Sequence, residues 1–140
     1  MQVRIAREAD AQALCVLNRE FNGEGTASAH QIARSLRESA EEIAVLALEA
    51  DEPAGFLCAR CIRSLCYRDP SGQIAELYVR EAYRRRGFAA EMLRLAEREL
   101  SRRGVREVFL LTGGDNAAAK AFYASSGYAP EDERMFLKCL

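Results

Sequence analysis

Apolar residues fall along the chain in two rhythms, one near every third or fourth position and one alternating, and the switches between them outline the elements. Val3 to Ala6 reads as a short first strand. From Glu8 to Phe21 the apolar positions Ala9, Ala13, Leu14, Leu17 and Phe21 recur at helical spacing, until Asn22-Gly-Glu-Gly-Thr26 breaks the run. Thr26 and Ser28 are both suitable caps for a second helix through Ile32 and Leu36 to about Ser39. Glu42 to Ala50 reads as a strand, and the turn Asp51-Glu-Pro53 makes the strand from Ala54 its antiparallel partner. A second turn, Asp69-Pro-Ser-Gly72, leads into a strand from Gln73 to Val79. After the polar loop Arg80–Gly87 comes a helix with an apolar stripe of Phe88, Met92, Leu95, Ala96 and Leu100. Gly104 ends it, and the strongly apolar Val105–Thr112 fits the centre of a sheet. Gly113-Gly114 turns the chain, Asp115 or Asn116 caps a short helix to about Ser126, and Gly127 terminates it. Tyr128 onward predicts a final pair of strands ending near Met135–Cys139. The order β-α-α-β-β-β-α-β-α-β-β is that of an α/β or α+β protein, a mixed sheet with helices on its faces.

Length and charge narrow the function classes. At 140 residues the chain is expected to form one domain, residues 1–140, with no Pro/Gly-rich linker or repeat to divide it. Twenty basic residues against twenty-one acidic ones leave a net charge of −1, so the basic excess of a nucleic-acid binder is missing. The Arg80–Arg86 patch, without interleaved aromatics, does not restore it. No apolar run is long enough to cross a bilayer, and Met1–Glu8 lacks a signal-peptide core, so the expected location is the cytoplasm. The five cysteines, an odd number, do not read as a disulfide framework. Cys58 and Cys61 form a C-x-x-C pair inside a strand, where residues three apart point to opposite faces; with His30 the only histidine, no metal site is expected.

The stretch richest in chemistry is Arg84-Arg-Arg-Gly-Phe-Ala89, set between a strand and a helix. The first amides of a helix have no internal partners and its dipole adds positive charge, so such a turn suits a pyrophosphate. Gly87 permits close backbone approach, Ala89 and Ala90 keep the first turn uncrowded, and Arg84, Arg85 and Arg86 offer mobile cationic screening. The turn is neither a Walker A loop nor a G-x-G-x-x-G fingerprint. A plain solvated helix cap has the same appearance when taken alone.

The wider pattern resembles the GNAT superfamily of acyl-CoA-dependent N-acetyltransferases. Arg84–Ala89 matches the family's R/Q-x-x-G-x-G/A signature, Glu76-Leu-Tyr-Val79 resembles its fourth strand, and Asn116–Tyr128 resembles its N-x-x-A-x-x-F/L-Y-x-x-x-G-F/Y segment. The resemblance extends over essentially the whole chain and implies a mainly antiparallel central sheet. It implies acetyl-CoA as the acyl donor, its pyrophosphate on the amides from about Arg85 to Ala90 around Gly87 and Phe88, and its pantetheine arm along Leu77, Tyr78 and Val79. An N–H near Val79 would face the thioester carbonyl. Asn116, Ala119, Phe122 and Tyr123 would complete the cofactor site, and Tyr123 matches the family's general acid. An aromatic core pair, Phe122-Tyr123, and a bare helix cap at Asn116 explain these residues too. Glu76 is the candidate base, since a carboxylate in an otherwise apolar strand must face water, a partner or a cleft.

The resemblance implies an amine-acceptor site walled by the first two helices and their connection, with Phe21, Glu24 and the Asn22–Thr26 loop as candidate contacts and Tyr78 as a further lining residue. Glu20, Glu24 and Glu131-Asp132-Glu133 would attract a cationic amine, and an acidic pocket suits an aminoglycoside or polyamine. A protein N-terminus or lysine is the alternative acceptor, and a silent acyl-CoA sensor the alternative function. No cysteine is placed for a covalent enzyme intermediate. Phe136, Leu137 and Leu140 fit either a core or the interface of a homodimer, a form many family members adopt through late strands or helices.

Overall fold

The computed structural model describes residues 1–140. Five strands form one sheet: β1 (Gln2–Ile5), β2 (Glu42–Glu49), β3 (Glu52–Ile62), β4 (Ser71–Val79) and β5 (Val108–Leu110), in spatial order β1-β2-β3-β4-β5. The first three pairings are antiparallel, and only β4 with β5 is parallel. The helices are α1 (Ala11–Asn22), α2 (Ala29–Glu38), α3 (Phe88–Arg102) and α4 (Ala117–Ser125). This is the mixed, mainly antiparallel architecture expected from the sequence.

Strand alternation sorts the core into two layers. On one face Ala44, Leu46 and Phe56 pack with Leu14 and Leu17 of α1, and Ile32 and Leu36 of α2 close over them. On the other face Ile43, Val45, Ala47, Leu57 and Ala59 pack with Phe88, Met92, Leu93, Ala96 and Leu100 of α3. Cys58 belongs to the first layer and Cys61 to the second, as their spacing predicts. Ser28 is the cap of α2: Gln31 N–H donates to its Oγ at 3.2 Å, and Gln31 Oε1 accepts from Ser28 N–H at 2.8 Å. Arg4 donates to both oxygens of Asp10 at 2.7 and 2.8 Å, tying β1 to the start of α1. No helix is long and apolar enough to cross a membrane.

Two expectations fail, both late in the chain. Val105–Thr112 is not a sheet centre: only three residues join the ladder, and β5 lies at the edge. The final strand pair does not form, and residues 126–140 carry no helix or strand. The first failure follows from β4. It pairs with β5 only through Gly72, Gln73 and Ile74, and a bulge directly after Ile74 turns the rest of β4 away. Without that neighbour, and with nothing on its outer side, β5 has no ladder to extend.

Candidate active site

At the turn into α3 the chain presents a row of free donors. Arg85 and Gly87 both take left-handed backbone, with φ of +62° and +88°. The first main-chain bond of the helix runs from Glu91 N–H to Gly87 O at 3.1 Å, and the amides of Arg85 to Ala90 donate to no other atom of the chain. An added Cβ at Gly87 would meet nothing within 4 Å, so glycine is required by φ and the space above the amides is open. Phe88 is the anchor: its ring is buried at the core end of α3, which fixes the helix start while leaving its N–H outward.

Arg84 and Arg86 are not the free cations that the sequence suggests. Arg84 Nε donates to Val79 O at 2.9 Å. Arg86 pairs with Glu49 and lies 5.6 Å from the ring centroids of both Tyr83 and Phe88. Two of the three arginines therefore hold the turn in shape, and Arg85 alone has no hydrogen-bond or ionic partner.

The bulge in β4 sets the second part of the site. Cys58 pairs with Glu76 and Ala59 with Ile74, which leaves Ala75 as the extra residue. Ile74 faces α3, and simple alternation would send Glu76 to the same side. The extra residue reverses the phase, so Glu76 and Tyr78 face α1 and α2 while Leu77 and Val79 pack toward α3. Arg80 N–H donates to Ala54 O at 2.9 Å, so by antiparallel alternation the N–H groups of Leu77 and Val79 point to the open edge. That edge begins where β5 stops pairing.

Across the opening stands α4. Asn116 Oδ1 accepts from Ala119 N–H at 3.0 Å and caps the helix. Tyr123 is half-buried, with its ring edge-on to Phe122 at 5.2 Å and Tyr128 at 5.7 Å. Its hydroxyl bonds to no protein atom. Burial, and then the negative charge of Glu76, push the phenol above its ordinary pKa, so it stays protonated at neutral pH.

A cavity of about 140 Å³ fills the opening between β4 and α4, lined by Glu76, Leu77, Thr112, Asn116, Ala119 and Tyr123 among others. A second, of about 460 Å³, lies between α1, α2 and the sheet. Ala75 and Glu76 border both. Asn18, Gln31, Ser35, Glu42 and Arg60 line the larger one, and none of them stood out in the sequence. Glu42 and Arg60 are a paired position on β2 and β3, but which strand ends converge on a cavity depends on register. Cys58 borders it as well, with burial pushing its thiol up to about 12, too high for a ready nucleophile.

Phe21 lines the smaller cavity and stacks on Tyr78 at 5.1 Å, while Tyr78 itself borders neither cavity. Glu24 is exposed on the α1–α2 loop and borders neither cavity. Glu20 is not available to an amine, because Arg80 holds it. Glu131–Glu133 lie in the exposed C-terminal segment, away from both cavities.

Residues 11–128 match the Acetyltransferase (GNAT) family. The chain belongs to that family. The GNAT fold is equally clear in solved structures. An aminoglycoside acetyltransferase from an uncultured soil metagenomic sample, in complex with sisomicin, superposes with a TM-score of 0.86 at 18% identity, covering 99% of this chain and 95% of the other. The aminoglycoside N-acetyltransferase AAC(6')-Iy in complex with CoA gives 0.88 at 16% identity, with coverage of 99% and 93%. A ribosomal-protein-alanine N-acetyltransferase from Brucella melitensis biovar Abortus 2308 gives 0.81 at 14%, covering both chains fully at 100%. At these identities the likeness is one of fold. No match emerges among curated proteins.

As a GNAT acetyltransferase the protein uses acetyl-CoA. The residues present fit that donor: a run of free amides over open space suits a pyrophosphate, and an unpaired strand edge suits an amide-bearing arm.

Proposed function

We propose that this GNAT enzyme acetylates a primary amine of a small, polar, cationic molecule of the aminoglycoside or polyamine kind, by direct attack while both substrates are bound. The observation that carries the reading is the junction of the two cavities at Glu76. A donor site on one side and an acceptor site on the other meet at the one carboxylate that borders both.

Acetyl-CoA supplies the activated acetyl group and a thiolate leaving group. The chain's own residues supply the rest. Amides from Arg85 to Ala90 bind phosphate, while Leu77 and Val79 present N–H groups along the edge, that of Val79 serving as an oxyanion donor. Glu76 takes a proton from the amine at its carboxylate, directly or through water. Tyr123 holds a proton on Oη for the leaving thiolate; its raised pKa keeps that proton in place until it is needed. Asn116 both caps α4 and turns toward the cofactor opening. In the larger cavity the carboxylates of Glu42 and Glu76, with the amides of Asn18 and Gln31, favour a polyhydroxylated or polyamine cation. Phe21 lines the smaller cavity and, stacked on Tyr78, contacts the amine from that side.

Release of free thiol from acetyl-CoA, measured across aminoglycosides, polyamines, amino-acid amides and N-terminal peptides, tests this reading. Turnover confined to small cationic amines, lost on Glu76→Gln, supports it. Turnover with peptides alone shifts the acceptor to a protein N-terminus. Acetyl-CoA binding without turnover on any amine points to a sensor.

A further inference from the structure

The side of the cofactor opening that carries Tyr123 is tied to the rest of the protein by few bonds. α4 has no fully buried residue, and a helix of nine residues is marginal without tertiary support. The cap of Asn116 on Ala119 is local, as are the bonds of Lys120 Nζ to Gly114 O and of the Ser125 and Ser126 hydroxyls to Phe122 O. The chain after Tyr128 is exposed. From Asn116 onward a single hydrogen bond reaches another helix or strand: the Tyr128 hydroxyl donates to Glu97 Oε1 on α3 at 2.8 Å.

Tyr128 is in turn joined closely to Tyr123. Its N–H donates to Tyr123 O at 3.0 Å, and the two rings meet edge-on at 5.7 Å. The acceptor on α3 is kept for this bond alone. Of the three carboxylates on α3, Glu91 pairs with Arg94, and Glu99 with Arg102 and Arg103. Glu97 has no cationic partner and accepts only from Tyr128. Neither Glu97 nor Tyr128 lines a cavity, so their bond reaches the site only through Tyr123.

We propose that Glu97 is a positioning residue for proton transfer: by holding the Tyr128 hydroxyl it fixes α4, and with it the Tyr123 hydroxyl, at the cofactor opening, a role that rests on the reading of Tyr123 as general acid. Packing of Phe122 and Tyr123 on the core is compatible with a roll of α4 about its axis, whereas a hydrogen bond to a carboxylate fixes distance and direction. α3 then sets both ends of the donor site. Its first turn presents the phosphate amides, and Glu97, about 13 Å along the axis from Phe88, holds the proton donor. A displacement of about 1 Å at such a donor is enough to slow the reaction.

Kinetics on Glu97→Ala, Glu97→Gln and Tyr128→Phe, each alone and combined with Tyr123→Phe, test the claim. Glu97→Ala and Tyr128→Phe, which keeps the ring, are expected to lower kcat about fivefold or more, with KM for acetyl-CoA and amine within about twofold. Glu97→Gln keeps an oxygen that accepts the bond and should bring kcat back to within about twofold of the parent. In the Tyr123→Phe background neither loss should recur, because no donor is left to place. A residue that only stabilises the fold would lower kcat in both backgrounds. Hydrogen exchange reads the tether without turnover: the α4 amides should exchange about tenfold faster in Glu97→Ala, with those of α3 unchanged.

Full kcat in Glu97→Ala, an equal loss in the Tyr123→Phe background, no recovery in Glu97→Gln, or unaltered exchange in α4 overturns the tether. Full kcat in Tyr123→Phe alone overturns the general-acid reading instead, and the positioning role with it, even where exchange in α4 has quickened.

Discussion

Glu20 and Arg80 join α1 to the end of β4: Arg80 Nη2 donates to Oε1 at 2.6 Å and Nε to Oε2 at 2.9 Å. A third donor, Nη1, reaches Pro53 O at 2.6 Å, and the Tyr78 hydroxyl donates to Glu20 Oε2 at 3.4 Å. The pair thus sets the distance between Phe21, on the next residue of α1, and Tyr78, its stacking partner. Glu20 and Arg80 thereby hold the stacked Phe21–Tyr78 pair, the proposed aromatic contact of the amine.

Glu20→Gln is therefore expected to raise KM for the amine roughly three- to tenfold while leaving KM for acetyl-CoA within about twofold, since misplacing that contact affects one substrate. Stability should fall by only about 1 kcal/mol, because both side chains are partly exposed and screened. Arg80→Lys should behave similarly, as a lysine lacks the fork needed for three acceptors. The guanidinium holds the Glu20 carboxyl below its usual range. The pair's contribution is thus complete above the ordinary glutamate pKa of about 4.3 and fades as pH drops through the lower folded value. Steady-state kinetics with each substrate varied in turn check the split.

Gly87→Ala separates binding from folding. An alanine at φ +88° costs about 1–2 kcal/mol in backbone strain, and no neighbour adds a clash. Because relieving that strain tilts the amides ahead of α3, CoA affinity should fall by about tenfold or more, beyond the stability loss. Calorimetric titration with CoA beside a thermal melt measures both. Unchanged affinity in the folded variant would remove the turn from the binding site.

These expectations show what the sequence holds and what it does not. The periodicity of α3 predicts its buried face, and Gly87 beside the arginines predicts the turn, because both depend on residues within a few positions. The face of Glu76 is not legible, since a bulge at Ala75 reverses the alternation and alanine gives no sign of it. The use of Glu20 is hidden for another reason: its partner is sixty positions away, and an isolated glutamate beside a cleft looks available to a cation. The short β5 is the same lesson at larger scale. An apolar run states that a strand wants to be buried, while its ladder length is set by a neighbour that bends away.

Tyr123 offers a direct titration. Burial and the Glu76 charge both raise its pKa, so the tyrosine absorbance that disappears in Tyr123→Phe should titrate above the ordinary value of about 10. Glu76→Gln removes a negative charge that opposes phenolate, and the midpoint should move down, while burial keeps it above 10. In kinetics, Tyr123→Phe should lower kcat by at least about tenfold with acetyl-CoA binding preserved, the size expected for loss of a general acid. A normal phenol titration, or a variant with full kcat, would remove Tyr123 from proton transfer.

Gly55 tests how tightly the cleft is built into the sheet. It sits on β3 opposite Val79, and an added Cβ would stand 2.4 Å from Tyr78 O and 3.1 Å from the Val79 Cα. Both are backbone atoms of β4, so no side chain can swing aside, unlike at Gly72, where Val105, Leu100 and Val108 side chains crowd the space at 2.9–3.2 Å. Gly55→Ala must push β4 outward, and overpacking of this kind costs about 1–3 kcal/mol. The displaced segment is the one whose Leu77 and Val79 amides face the open edge, so activity should fall further than stability predicts. Gly72→Ala should lose stability through repacking yet keep its kcat once folded, because the strain is absorbed at the far end of β4 from Val79. Denaturant unfolding and kcat measured on the two variants side by side decide it: equal activity losses would mean that the β4 edge is not part of the site.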